Sequence, residues 1–148
     1  MIDRFDGEYF FLSNFSASPF KDECGDFYPT MEHYFQAQKA TDLYDFELVR
    51  NAKSPGLAKR YGRRIKLAPD WESVKVDVMR KGLHFKFAIP ELRHKLLATG
   101  DQYLEEGNTW CDNFFGDCKC PRCKDIMGRN VLGNLLMEIR EEIKNGSN

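Results

Sequence analysis

The chain has 148 residues, 42% apolar and 14% aromatic, which suits one domain able to bury a sizeable core. Its 22 basic and 23 acidic residues leave a formal charge of −1, which speaks against a duplex-binding surface and against a basic membrane-surface helix. Asp3 and Arg4 follow Met1 closely, and no stretch approaches the ~20 apolar residues that span a bilayer, so a cytoplasmic protein is expected.

Ile2 to Phe11 alternates loosely around Asp6-Gly7 and predicts a β-hairpin, which Ser13-Asn14 ends. Phe20 to Phe27, with Cys24-Gly25-Asp26 inside, predicts a second turn that returns a strand to the first helix. That helix runs from a Thr30 cap towards Ala40. Pro29 holds Tyr28 extended, and the Thr30 hydroxyl accepts from the free amides of the first turn. At 3.6 residues per turn, Met31, Tyr34, Phe35 and Gln38 share one side, while Glu32, Gln36 and Lys39 form a polar row at i, i+4 and i+7. By pattern alone such a row reads first as a solvated face.

Asp42 and Ser54-Pro55 each open a short helix. Lys59, Arg60, Arg63, Arg64 and Lys66 make a dense basic patch, either a solvated face or an anion site. The longest helix is expected from an Asp70 cap to about Ala88, before Pro90. One apolar stripe carries Trp71, Val74, Val78, Gly82 and Phe85, and a second carries Val76, Met79, Leu83 and Phe87. A narrow arc with Glu72, Lys75 and Lys86 lies between them. His33, His84 and His94 lack metal-ligand spacing and read as surface residues.

Glu91 to Ala98 predicts a helix stopped by Gly100. Gln102 to Asn113 predicts extended structure with Trp110 and Asp112 on one face of a strand, an indole beside a carboxylate. Three of the five cysteines crowd into Cys118-Lys119-Cys120-Pro121-Arg122-Cys123. They fit either a structural zinc, with Cys111 or Cys24 as fourth ligand, or reduced surface thiols. The closing helix is expected over Asn130 to Lys144, its start able to offer amides to an anion, and Asn145 to Asn148 reads as a frayed tail.

Several short strings recur together: Phe11-Leu12-Ser13-Asn14-Phe15; Tyr28 to Ala40; Ala58-Lys59 with Gly62-Arg63; Asp70-Trp71 with Lys75 and Met79; Leu96 to Gly100; Leu104-Glu105-Glu106; Trp110 with Asp112; and Asn130 to Met137 with Arg140. In this order they resemble the YbiA-like, or NADAR, family of N-glycosidases over nearly the whole chain. The resemblance implies one α+β domain over residues 1–148, mostly helical with a small antiparallel sheet. That sheet is expected to bear the Ser-Asn and Trp-Asp stretches and to close a deep pocket against the Thr30 and Asp70 helices.

By the same resemblance, the chain is expected to hydrolyse the N-glycosidic bond between a base and ribose phosphate or ADP-ribose. The substrate is a small phosphoribosylamino-pyrimidine intermediate of riboflavin synthesis, or ADP-ribosylated guanine, free or carried on nucleic acid. Glu32, Lys39 and Asp112 become the catalytic set, and Ser13, Asn14, Gln36, Arg63, Trp71, Lys75 and Trp110 the substrate contacts. No cofactor is expected in the chemistry; the zinc, at Cys118, Cys120 and Cys123, would be structural. A binding module for ADP-ribose or NAD-like nucleotides is the alternative.

Cleavage develops positive charge at the anomeric carbon and negative charge on the leaving nitrogen, so Glu32 and Asp112 serve a direct hydrolysis. Lys39 opens a second route through an imine at C1, provided its amine is neutral. If instead it pairs with a carboxylate or phosphate, it stays charged.

Overall fold

The computed structural model describes residues 1–146. The last two positions of the tail expected over 145–148 lie outside the described residues. The chain forms two compact units, one of Asn14–Ala88 and one of Met1–Ser13 with Ile89–Asn148.

In the Asn14–Ala88 unit, a two-stranded antiparallel ribbon, β1 (Phe20–Lys21) and β2 (Phe27–Tyr28), precedes α1 (Met31–Ala37), α2 (Leu43–Arg50), α3 (Pro55–Gly62) and α4 (Trp71–Phe87). Three of the expected caps form: Thr30 accepts from His33 N, Asp42 from Asp45 N, and Ser54 from Leu57 N. Asp70 occupies the cap position of α4 without a side-chain cap, and its carbonyl accepts from Ser73 Oγ at 2.8 Å. Helix α1 packs on α2, α3 and α4, and every residue from Met31 to Ala37 is buried.

Rings of Phe20, Tyr28, Tyr34 and Phe85 fill the space beside the ribbon at centroid distances of 5.0–6.3 Å. The two apolar stripes of α4 are both covered, with Trp71, Gly82 and Met79, Leu83, Phe87 buried and the three valines half-buried. Gly82 lets Met31 and Tyr34 of α1 pack directly on α4, since a Cβ there would stand 2.7 Å from Met31 Sδ.

Further expectations fail here. His33 is 1% exposed, not a surface residue: its ring bonds Thr30 Oγ1 at 2.8 Å and Ala52 O at 2.9 Å. Burial holds its pKa below the usual histidine value, despite the bond to Ala52. The antiparallel ribbon also carries neither the Ser13-Asn14 nor the Trp110-Asp112 stretch.

In the second unit, α5 (Pro90–Ala98) packs on α6 (Val131–Lys144). No hairpin forms at the start of the chain. Asp6-Gly7 begins a 3-10 helix over Gly7–Leu12, closed locally by Tyr9 N donating to Asp6 O and Ser13 N to Phe10 O. Ile2 instead bridges Leu104 in parallel. The expected strand over Gln102–Asn113 shrinks to β3 (Gly107–Asn108), which pairs in parallel with β4 (Asp117–Cys118). Trp110 and Asp112 therefore lie in the intervening loop.

The start of α6 is not an open anion site. The amides of Asn130, Val131 and Leu132 donate to the carbonyls of Gly116, Phe114 and Phe115 at 3.0–3.1 Å. Asn130 takes a left-handed conformation (φ 50) just before the helix, its side chain reaching Leu104 O, the Tyr103 hydroxyl and the Glu106 amide.

Candidate active site

The polar row on α1 is built at one end as expected. Glu32, 7% exposed, accepts a 2.7 Å bond from Gln36 Nε2 one helical turn on. The donated bond fixes the orientation of the Gln36 amide and leaves Oε1 buried without a donor. Oε1 packs against α3 at Gly62, where an added Cβ would lie 2.8 Å from Gln36 Cδ. Gly62 is thus the place where α3 touches the row. Asn14 accepts from Glu32 N through its own carbonyl at 2.9 Å, directs Nδ2 at Met79 Sδ at 3.6 Å, and keeps Oδ1 buried without a donor. Two unsatisfied acceptors beside one buried carboxylate are costly, on the order of 1–3 kcal/mol each, and such costs gather at functional sites.

Lys39 is not the third member of a helical face. Helix α1 ends at Ala37, and Lys39 sits in the turn beyond Gln38, its N–H donating to Gln36 O and its carbonyl accepting from Ala68 N. The turn sends the amine over aromatic faces, 5.7 Å from the Trp71 centroid and 5.8 Å from that of Phe35. Phe35 and Trp71 are themselves packed edge to face at 5.0 Å. Burial lowers the Lys39 pKa below the ordinary lysine value; Glu32 opposes the shift, and the charges of Arg63 and Lys59 add to it.

Arg63 caps the end of α3 on the surface, at the edge of the basic patch. Lys75 pairs with Glu72 at 2.7 Å on the first turns of α4. Trp71 is 4% exposed, so its indole serves as a wall for Lys39 more than as an open stacking surface. The structure thereby brings Glu32, Gln36, Lys39 and Trp71 together around α1, with Asn14 behind Glu32 and the Arg63 charge acting on Lys39. Phe35 was read in the sequence only as an apolar neighbour of Tyr34; its aromatic partnership with Trp71 has no sequence signal at that separation.

Ser13, Trp110 and Asp112 belong to the other unit. Ser13 caps the first 3-10 helix. Trp110 is 58% exposed. Asp112 shapes its loop, Oδ1 accepting from the amides of Phe114 and Phe115 at 3.0 Å each, and its backbone N–H bonds Asn108 Oδ1 at 3.2 Å.

A family model described as the NADAR domain matches residues 3–144, so both units fall within one family domain. The chain belongs to the NADAR family. Over 139 residues this NADAR domain is 47% identical to N-glycosidase YbiA of Escherichia coli (strain K12), covering 92% of the chain and 82% of that protein. It is 38% identical over 142 residues to riboflavin biosynthesis protein VVA0006 of Vibrio vulnificus (strain YJ016), covering 94% of the chain and 37% of that longer protein. The NMR structure of the E. coli protein YbiA superposes with a TM-score of 0.82 at 42% identity, covering 99% of this chain and 89% of that one. The α+β NADAR fold, mostly helical with a small antiparallel ribbon, is the one the resemblance implied. Among the described residues no helix is long and apolar enough to cross a membrane.

Proposed function

We infer that this NADAR domain hydrolyses the N-glycosidic bond of a phosphoribosyl or ADP-ribosyl substrate, with Glu32 and Lys39 at the centre of the reaction. It is a hydrolase acting on N-glycosyl compounds. The observation that carries the residue assignment is the Lys39 amine. It is held in a partly buried turn over two aromatic rings, pushed towards its neutral form, and set just past the helix that carries the Glu32–Gln36 pair.

A neutral amine is a nucleophile, whereas a charged one is only a counter-ion. In the ring-opened sugar, Lys39 attacks C1, the bond from C1 to the base nitrogen breaks, and the departing nitrogen takes the proton that Lys39 gives up. Water then adds to the resulting imine carbon, the C–N bond to Lys39 breaks, and the ribose aldehyde leaves with the amine restored. Glu32 supports the positive charge that develops at C1. Asn14 and Gln36 supply acceptors suited to sugar hydroxyls, and Arg63 suits a bidentate phosphate contact. Lys75 completes the proposed substrate set within this unit, with Trp71 holding Lys39 in place.

A direct route that uses Glu32 without Lys39 makes the same products, and the two separate cleanly. Purified protein is incubated with phosphoribosylamino-pyrimidine and with ADP-ribosyl-guanosine, free or in an oligonucleotide, and the released base is followed by chromatography. Borohydride added during turnover is expected to leave a ribose adduct on Lys39. Full turnover in Lys39→Ala with loss in Glu32→Gln assigns the direct route. Binding of ADP-ribose with no base released from any substrate assigns a non-catalytic module.

A further inference from the structure

We propose that Cys111, Cys118, Cys120 and Cys123 form a structural zinc site that pins the connection between β3 and α6. The inference does not depend on the glycosidase reading. All four sulfurs lie within 4.8 Å of one another. A tetrahedral zinc with Zn–S bonds of about 2.3 Å spaces its sulfurs about 3.8 Å apart, and Cys111 Sγ already stands 3.7 Å from Cys120 Sγ. Of the two fourth ligands open in the sequence, the fold supplies Cys111; Cys24 is exposed and belongs to the other unit.

The surroundings favour thiolates. The amides of Cys111 and Cys120 point at Cys118 Sγ at 3.2 and 3.4 Å, as second-sphere donors do around a bound metal. Cys111 adopts φ 66, a left-handed conformation that costs a non-glycine residue on the order of 1 kcal/mol and persists only where the surroundings enforce it. Four thiolates around a dication leave two negative charges, and Arg122 and Lys124 flank Cys123 in the chain to offset them.

The loop also needs a fastening. Between β3 and α6 the regular structure is limited to β4 and a 3-10 turn at Pro121–Cys123, and of the large apolar side chains Phe114 and Phe115 are half-buried while Trp110, Ile126 and Met127 are exposed. Apolar burial therefore does little to order this segment, a situation in which small folds use metals or disulfides. Four soft sulfur ligands select zinc over magnesium or calcium, and a filled coordination shell makes the site structural rather than catalytic.

The test uses the full chain, expressed with zinc in the medium and purified without chelator. Elemental analysis is expected to find about one zinc per chain, kept in Cys24→Ser and largely lost in Cys120→Ser. Cobalt(II) exchanged into the wild-type protein should show thiolate-to-cobalt charge-transfer absorption. Because Cys120→Ser can fail to fold, the wild-type protein is also stripped with chelator and melted: Tm is expected to fall and to recover on adding zinc alone. Well under one zinc per chain in freshly purified protein, iron in its place, a disulfide among these four cysteines, or an unchanged Tm on stripping overturns the proposal.

Discussion

Lys39 takes its chemistry from three neighbours that the chain supplies at different separations: the rings of Phe35 and Trp71, which desolvate it, and the Arg63 charge, which repels a second cation. Lysine ordinarily titrates near ~10.4. With its pKa lowered, the neutral amine reaches useful population at lower pH, so kcat should rise with pH through a Lys39 value below the ordinary lysine one. Arg63→Gln removes one of the repelling charges and is expected to move that limb to higher pH. A limb that stays in place in Arg63→Gln, or a pH-independent kcat, removes the neutral-amine role. Lys39→Arg keeps the charge and loses the nucleophile, and is expected to lose at least ~100-fold in kcat.

Among the elements, the contact of α1 with α3 decides the site. Helix α1 is short, and α3 reaches its polar row only because Gly62 carries no side chain. Gly62→Ala is favoured by helix propensity by about 1 kcal/mol, yet its methyl group would displace the Gln36 amide and break the bond to Glu32. Activity is therefore expected to fall ~10-fold or more while the helix content measured by circular dichroism stays unchanged. Retained activity would mean that the Glu32–Gln36 bond does not matter to the reaction. In the other unit, the short parallel pair β3–β4 and the loop between them replace the strand that alternation predicts, since Asp112 and Asn108 spend their side chains on loop amides.

At the scale of the whole molecule, Lys86 ties stability to pH. It is fully buried on α4, with its amine 5.2 Å from the Phe87 centroid, and burial lowers its pKa to about 7. Its unfolded value is ~10.4, so between about 7 and ~10.4 the unfolded chain binds a proton that the folded one does not. Stability should accordingly rise with pH across that window and level off on either side of it. Denaturant unfolding of Lys86→Met, which keeps the apolar stem, is expected to show a flatter pH dependence there, by up to about 1 kcal/mol per pH unit. Parallel slopes in the two proteins would place the titration elsewhere.

Much of the helical framework was legible because its signals are local: Thr30, Asp42 and Ser54 cap where capping chemistry puts them, Pro90 follows the end of α4, and the doubled stripe of α4 announced cover on two sides. The Glu32–Gln36 pair followed from the period of the helix, and the linear order of motifs placed the chain in its family. The hairpin expected at Asp6-Gly7 and the strand expected at Trp110 were misread because turn and alternation signals say nothing of a partner. Whether an extended run finds one is settled across the chain, as Ile2 finds Leu104. The same holds for the site: Lys39 leaves the helical row for a turn anchored at Ala68, His33 turns inward to Ala52, and Cys111 joins three cysteines that follow it. By itself the sequence determined which helices form and which family they build; only the tertiary structure decided which side chains lose water and which meet, because desolvation and contact depend on groups far apart in the chain.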